Sequence, residues 1–175
     1  MKLSVVIPAK NEEKRIREFL LEICLELDNN NLSQSSEILI IVNNSNDNTI
    51  EVIKGVQTQY PNVSYLDVPH AIGKGGAVAL GFKKARGEYI AFIDADGSSS
   101  AKELMNLFKL LSSEDRLDLV IASRYFPGSR IIGELPWSRK LYSRIINLIT
   151  RVVFGLTYFD TQCGLKVCMA IWNQW

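Results

Sequence analysis

The stretch Tyr89-Ile90-Ala91-Phe92-Ile93-Asp94-Ala95-Asp96-Gly97 places two carboxylates directly after an apolar run of strand length. In open α/β sheets, ligands bind beyond the carboxyl ends of the strands, so this position favours a functional role for Asp94 and Asp96. Two carboxylates separated by one small residue suit a hard divalent cation, Mg²⁺ or Mn²⁺, that also takes phosphate oxygens as ligands. The structural alternative is that Asp94 caps the next helix and Asp96-Gly97 is only a turn.

On both sides of this stretch, apolar runs of strand length alternate with apolar residues at helical spacing. The predicted strands cover residues 3–8, 37–42, 63–68, 88–93 and 117–122. Four helices are predicted between the strands. The apolar face of the first consists of Ile16, Phe19, Leu20, Ile23, Cys24 and Leu27, and that of the second includes Ile50, Ile53 and Val56. The third follows a Gly-rich turn at 73–76 and ends near Arg86, and the fourth is marked by Leu104, Leu107, Phe108 and Leu111. This order predicts an α/β fold with a mainly parallel central sheet flanked by helices.

Composition limits the remaining possibilities. With 175 residues, 47% of them hydrophobic, the chain is expected to be a single domain over residues 1–175. A formal net charge of +1 predicts no nucleic-acid partner. The cysteines Cys24, Cys163 and Cys168 form no Cys-x-x-Cys pair, which indicates reduced packing residues. The apolar run at 145–156 is interrupted by Arg151 and is shorter than the roughly 20 residues of a spanning helix, so no transmembrane segment is predicted.

The segment Gly73-Lys74-Gly75-Gly76 can bring backbone N–H groups and one ammonium to a phosphate at a helix N-terminus. It lacks the spacing of a P-loop and of the Gly-x-Gly-x-x-Gly fingerprint. The first strand ends in Pro8-Ala9-Lys10-Asn11-Glu12-Glu13 and not in a glycine turn, which disfavours dinucleotide oxidoreductases. A single nucleoside diphosphate fits these features better.

Five segments together resemble the family 2 glycosyltransferases, and within them the enzymes similar to dolichyl-phosphate mannose synthase and dolichyl-phosphate glucosyltransferase. They are Val5–Glu13, Gly73–Ala77, Ala91–Gly97, Ser123–Tyr125 and Asp160–Lys166, the last reading Asp-Thr-Gln-Cys-Gly-Leu-Lys. The resemblance covers roughly residues 3–166. It implies the GT-A fold, the fold of nucleotide-diphospho-sugar transferases, and inversion at the anomeric carbon of the sugar. Related catalytic domains continue beyond this last motif, so we expect that the chain is truncated at the C-terminus.

The resemblance also implies site residues. The donor would be bound by Pro8, Ala9, Asn11, Glu12, Asn43, Asn44, Lys74, Asp94, Ala95 and Asp96, with the metal at Asp94 and Asp96. The catalytic set would be Asp96, Arg124, Arg139 and Asp160, the two arginines facing phosphate groups. Surface ion pairs are the alternative for both arginines. Asn43-Asn44 stands where the family usually carries two aspartates that bind the base, which leaves uracil and guanine both open.

The resemblance therefore implies a metal-dependent transfer of a hexose from UDP-glucose or GDP-mannose to dolichyl or another polyprenyl phosphate. A phosphate acceptor is already an anion at neutral pH, so no general base is needed, and Asp160 is assigned to positioning. Two alternatives remain: a truncated nucleotide-sugar-binding domain without turnover, and transfer to a sugar hydroxyl. The expected location is cytoplasmic, at the cytosolic face of a membrane. The amphipathic segment 137–155 either rests on that membrane or packs into the core.

Overall fold

The computed structural model describes residues 1–123, 147, 150, 153, 155, 160 and 163–170. The chain divides into two compact units, Met1–Val120 with Gly164–Trp175, and Ile121–Cys163. The elements are β1 (Leu3–Ala9), α1 (Ile16–Asn29), a 3₁₀ turn (Ser33–Ser35), β2 (Ser36–Asn43), α2 (Thr49–Gln57), β3 (Val63–Val68), α3 (Gly73–Lys84), β4 (Tyr89–Ile93), α4 (Ala101–Ser113), β5 (Leu119–Ile121) and β6 (Leu165–Met169). Each of the five predicted strands is present.

The strands form one six-stranded sheet in the order β3-β2-β1-β4-β6-β5. Strand β1 pairs in parallel with β2 and β4, and β2 pairs in parallel with β3, which confirms the predicted α/β fold with a mainly parallel sheet. Strand β6 was not predicted; it pairs antiparallel with β4, with Ile93 opposite Leu165. Because β1 to β4 run in parallel, their carboxyl ends meet at one edge of the sheet, and the antiparallel β6 brings its amino end there.

Helix packing on the sheet follows the apolar residues of the sequence. The six residues predicted to form the inner face of α1 are its buried residues. Helix α3 packs on β1 and β2, where Ala77 joins Val6 and Ile41 in one buried cluster. All three cysteines are buried packing residues and none forms a disulfide, as predicted. In the described part of the chain, no helix has the length and apolarity needed to cross a membrane.

One local prediction needs correction, and one alternative is excluded. The Gly-rich segment at 73–76 is not a turn before the helix but the first turn of α3, which begins at Gly73. The structural alternative for Asp94 as a helix cap is also wrong, because α4 is capped by Ser100. The Ser100 hydroxyl accepts a hydrogen bond from the Glu103 N–H, and the Glu103 carboxylate accepts one from the Ser100 N–H, which completes a capping box.

The buried carboxylate of Glu37 links neighbouring segments at the amino-terminal end of the sheet, opposite the edge where the carboxyl ends meet. Glu37 is 4% exposed, and its Oε1 accepts a hydrogen bond from the Ser4 hydroxyl at 2.6 Å. The Arg86 guanidinium donates to Glu37 Oε2 at 2.7 Å and 3.0 Å. Burial by itself would raise the pKa of Glu37, but the hydrogen bonds from Arg86 and Ser4 outweigh it, so that the pKa lies below its ordinary value.

The lowered pKa of Glu37 predicts acid sensitivity of the fold. A group whose pKa is lowered on folding stabilises the folded state above its unfolded pKa, about 4.3 for glutamate, and loses that contribution as pH falls through the folded pKa. We expect the wild type to lose more unfolding free energy between neutral and acidic pH than Glu37→Gln, as measured by urea unfolding. Glu51→Gln, which changes an exposed pair with Lys54, should follow the wild type. Parallel curves for Glu37→Gln and the wild type would contradict this assignment.

Candidate functional site

A pocket of about 370 Å³ opens at the edge of the sheet where the carboxyl ends of β1, β2 and β4 meet. Eight of the ten residues predicted to bind the donor line it: Pro8, Ala9, Glu12, Asn43, Lys74, Asp94, Ala95 and Asp96. Its other lining residues, which were not singled out from the sequence as site residues, are Lys10, Ala71 and Gly73. Lys10 and Gly73 lie inside motifs already recognised, whereas Ala71 carries no signal in the sequence.

Asp94 and Lys74, which both line the pocket, form an ion pair. The Lys74 ammonium lies 2.7 Å from Asp94 Oδ1 and 2.8 Å from Oδ2, so it contacts both carboxylate oxygens. The lysine side chain is 62% exposed and the aspartate side chain 16%, which leaves the cation open to solvent and the anion partly covered. The same ammonium lies 5.6 Å from the centre of the Phe92 ring, at cation–π distance.

Asp96 is exposed, and its Oδ1 accepts a hydrogen bond from the Ser98 N–H at 2.9 Å. Partial desolvation of the carboxylate acts to raise the pKa of Asp96, but the Ser98 hydrogen bonds and the positive charges of Lys74 and Arg15 outweigh this effect, so the pKa lies below its ordinary value. Asp96 is therefore ionised near neutral pH. A carboxylate in that state is a ligand for cations and a weak proton acceptor.

The N-terminus of α3 opens onto the same pocket. Gly73, which has φ +71°, and Lys74 line it, and the cap residue Ile72 makes no side-chain capping hydrogen bond. The first N–H groups of a helix have no partner within the helix and carry its positive dipole end, so they favour an anion. The backbone of α3 and the Lys74 ammonium thus present positive charge beside two carboxylates.

Side-chain hydrogen bonds join the loop after β1 to the loop after β2. Asp47 accepts hydrogen bonds from the Glu13 N–H at 3.1 Å and from the Thr49 hydroxyl at 2.6 Å. Thr49 Oγ1 in turn accepts from the Glu12 N–H at 2.8 Å. Glu12 also pairs with Arg15 at 2.9 Å. These contacts fix the backbone of Glu12 at the pocket wall before any ligand arrives.

The three predicted asparagines occupy different places. Asn43 lines the pocket, and its Oδ1 accepts a hydrogen bond from the Ile72 N–H at 3.0 Å, so its carbonyl supports the start of α3. Asn11 and Asn44 are not pocket-lining residues. Both have positive φ: Asn11 Oδ1 accepts from the Asn46 N–H, and the Asn44 N–H donates to the Val68 carbonyl, so both shape loops.

The pocket fits a divalent cation that brings further ligands with it. Asp94 and Asp96 line it together, while no group of three or more His, Cys, Asp or Glu side chains is placed for a metal within the described residues. Mg²⁺ and Mn²⁺ are often held by one or two carboxylates, with water and substrate phosphates completing the shell. Two carboxylates next to a helix N-terminus, which favours an anion such as phosphate, match this requirement.

Three predicted site residues remain, Arg124, Arg139 and Asp160. Arg124 and Arg139 fall outside the described residues. Asp160 belongs to the second unit and is 1% exposed. Lys166, which accompanies it in the sequence motif, lies on β6 opposite Phe92, with its ammonium 5.6 Å from the ring centre.

A mainly parallel sheet with two carboxylates and an uncapped helix end at its carboxyl edge defines an α/β domain of the GT-A class. The sequence model of glycosyl transferase family 2 matches residues 4–164, and the chain belongs to this family. It is 34% identical to a dolichyl-phosphate beta-glucosyltransferase of Trichomonas vaginalis, over 93% of this chain and 50% of that protein. It is 31% identical to the dolichol-phosphate mannosyltransferase of Pyrococcus furiosus, over 87% of this chain and 41% of that protein.

Solved structures show the same fold. A mannosyltransferase from Pyrobaculum calidifontis, in complex with GDP-Man and Mn²⁺, superposes with a TM-score of 0.65 at 20% identity, over 96% of this chain and 44% of that one. The chain spans about half the length of the curated relatives that it matches first.

Proposed function

We propose that this chain is the donor-binding part of a metal-dependent, inverting glycosyltransferase that moves a hexose from UDP-glucose or GDP-mannose to dolichyl or another polyprenyl phosphate. The observation that carries the proposal is the pocket in which Asp94, Asp96 and Lys74 meet at the N-terminus of α3. The names of the relatives support the acceptor class, since both a glucosyltransferase and a mannosyltransferase acting on a dolichyl-type phosphate are similar to the chain.

The charges of the pocket suit a diphosphate that arrives with a cation. Lys74 and the N–H groups of α3 offer positive charge to phosphate oxygens, and Asp94 and Asp96 offer negative charge to the metal. The solved neighbour from Pyrobaculum calidifontis, which carries GDP-Man and Mn²⁺, supports this pairing of ligands. The bound metal would act as a Lewis acid that stabilises the leaving nucleoside diphosphate.

The lowered pKa of Asp96 supports a role in holding charge over one in removing a proton. Such a division of labour fits a phosphate acceptor, whose oxygen is already anionic and needs no base. The chain's own residues then position the donor and neutralise charge, which is where most of the rate acceleration of such a transfer arises. Asp160 stays proposed for positioning the acceptor, and Arg124 and Arg139 stay proposed as residues that face phosphate groups.

The test is a transfer assay with the whole chain. The protein is incubated with Mn²⁺, a panel of radiolabelled UDP- and GDP-sugars and a short polyprenyl phosphate, and the products are separated into lipid and aqueous phases. We expect a lipid-linked sugar that depends on Mn²⁺ and disappears with EDTA. If the label is found on a sugar hydroxyl, the proposed acceptor class is wrong. If the nucleotide sugar binds but no product forms, the chain is a nucleotide-sugar-binding domain without turnover.

Calorimetry shows whether the site prefers a uracil or a guanine nucleotide. UDP and GDP are each titrated into the protein with and without Mn²⁺. We expect one nucleotide to bind more tightly than the other, and its binding to strengthen with the metal. If neither UDP nor GDP binds in the presence of Mn²⁺, the proposed function is wrong at its first step.

A further inference from the structure

Gly164 touches the carboxylate that lines the donor pocket. It lies one pair beyond Ile93 and Leu165 in the antiparallel β4–β6 ladder, and its carbonyl accepts a hydrogen bond from the Asp94 N–H at 3.0 Å. Both residues belong to the first unit. The amino end of β6 therefore runs beside the Asp94 side chain, although the two residues are seventy positions apart in the sequence.

A side chain at position 164 would occupy the space of that carboxylate. A Cβ built on Gly164 lies 2.1 Å from Asp94 Oδ2 and 2.7 Å from its Cγ, far inside van der Waals contact. The backbone does not require glycine here, because Gly164 is not among the glycines with positive φ. Its lack of a side chain is thus explained by the neighbouring carboxylate and not by a turn.

We propose that Gly164 is a positioning residue for the Asp94 carboxylate: the missing side chain leaves the space in which this group faces Lys74 and the pocket. The inference rests on the proposed function, since it concerns the same metal–diphosphate site. With alanine at position 164, the carboxylate has to rotate away, and the ion pair in which Lys74 contacts both oxygens is lost. The fold survives this change, because the atoms that must move are the end of a side chain at the pocket wall.

The experiment compares Gly164→Ala with the wild type by calorimetry, using UDP and GDP with Mn²⁺ or with EDTA. We expect Mn²⁺-dependent nucleotide binding to weaken by about tenfold or more, the range typical of residues that orient a metal ligand. Binding in EDTA and the midpoint of thermal unfolding should stay close to the wild type. Gly55→Ala is the matched control, because a Cβ at Gly55 meets no atom within 4 Å.

A double-mutant cycle shows whether Gly164 acts through Asp94. In the Asp94→Ala background the carboxylate is absent, so Gly164→Ala should add no further loss of Mn²⁺-dependent binding. If Gly164→Ala binds the nucleotide with Mn²⁺ as tightly as the wild type, this inference is overturned but the proposed function is not. A lower unfolding temperature that persists in the Asp94→Ala background also overturns it, because it shows a structural role. Absence of Mn²⁺-dependent binding by the wild type overturns the proposed function and this inference together.

Discussion

Asp96→Ala is expected to weaken Mn²⁺-dependent nucleotide binding by about 100-fold or more and to abolish sugar transfer. Residues that only orient a metal ligand typically contribute 10–100-fold to metal affinity, so a direct ligand lies at or beyond the upper end of that range. Asp96 is exposed and its carboxylate accepts a hydrogen bond from Ser98 in its own turn, so its loss should change the unfolding temperature little. Calorimetry and the transfer assay measure the two losses.

Two variants sharpen this result. Asp96→Asn keeps the shape of the side chain but removes its charge, so it should resemble the alanine variant if the carboxylate binds the cation. Glu51→Ala removes an exposed carboxylate of the same charge outside the pocket and should bind like the wild type. EDTA should reproduce the loss in the wild type and change Asp96→Ala no further. Wild-type Mn²⁺-dependent affinity in Asp96→Asn would contradict the assignment of Asp96 to the metal.

Asp160→Asn provides the contrast on the acceptor side. If Asp160 positions the acceptor and removes no proton, the amide should slow transfer without abolishing it, and Mn²⁺-dependent nucleotide binding should be unchanged. The same transfer assay measures the rate. Complete loss of transfer in Asp160→Asn, equal to that in Asp96→Ala, would show that the division between holding the donor and positioning the acceptor is wrong.

Gly81→Ala is expected to destabilise the fold by about 1–3 kcal/mol, the usual cost of overpacking a close-packed core. A Cβ on Gly81 lies 2.3 Å from Val6 Cγ1 and 3.2 Å from Ile41 Cγ1, on the face of the sheet that α3 covers. Val6 is fully buried on the central strand β1 and has little freedom to retreat. The clash therefore outweighs the gain of about 1 kcal/mol that alanine brings to a helix. Urea unfolding measures the difference.

A control variant and a compensating double variant test the Gly81→Ala prediction further. Gly55→Ala introduces a methyl group into open space in α2, so it should leave the protein as stable as the wild type or more stable. In Val6→Ala/Gly81→Ala, the methyl group added on the helix takes space vacated on the strand, and the double variant should lose less stability than the sum of the single variants. A Gly81→Ala midpoint equal to or above that of the wild type would contradict the close approach of α3 to β1.

Much of the fold is readable from local patterns. The apolar face of α1 was predicted residue by residue, because a period of 3.6 in a long helix leaves little choice of face. Strand β6 was missed, since its first two residues belong to a motif that was interpreted as a binding segment. Nothing local distinguishes such a short apolar run from a loop, and its antiparallel partner β4 lies far away in the sequence.

The sequence by itself determined that two carboxylates follow a buried strand and that a Gly-rich segment with one lysine lies at the N-terminus of a helix, since both are local patterns. Only the tertiary structure decided that Lys74 pairs with Asp94, that Asn11 and Asn44 shape loops beside the pocket, and that Gly164 leaves room for the Asp94 carboxylate. The physical reason is that these contacts join segments distant in the chain, and they form only when the strand ends are brought to one edge of the sheet. The Asp94 carboxylate therefore owes its orientation to neighbours supplied by the fold, whereas Asp96 is held by its own turn.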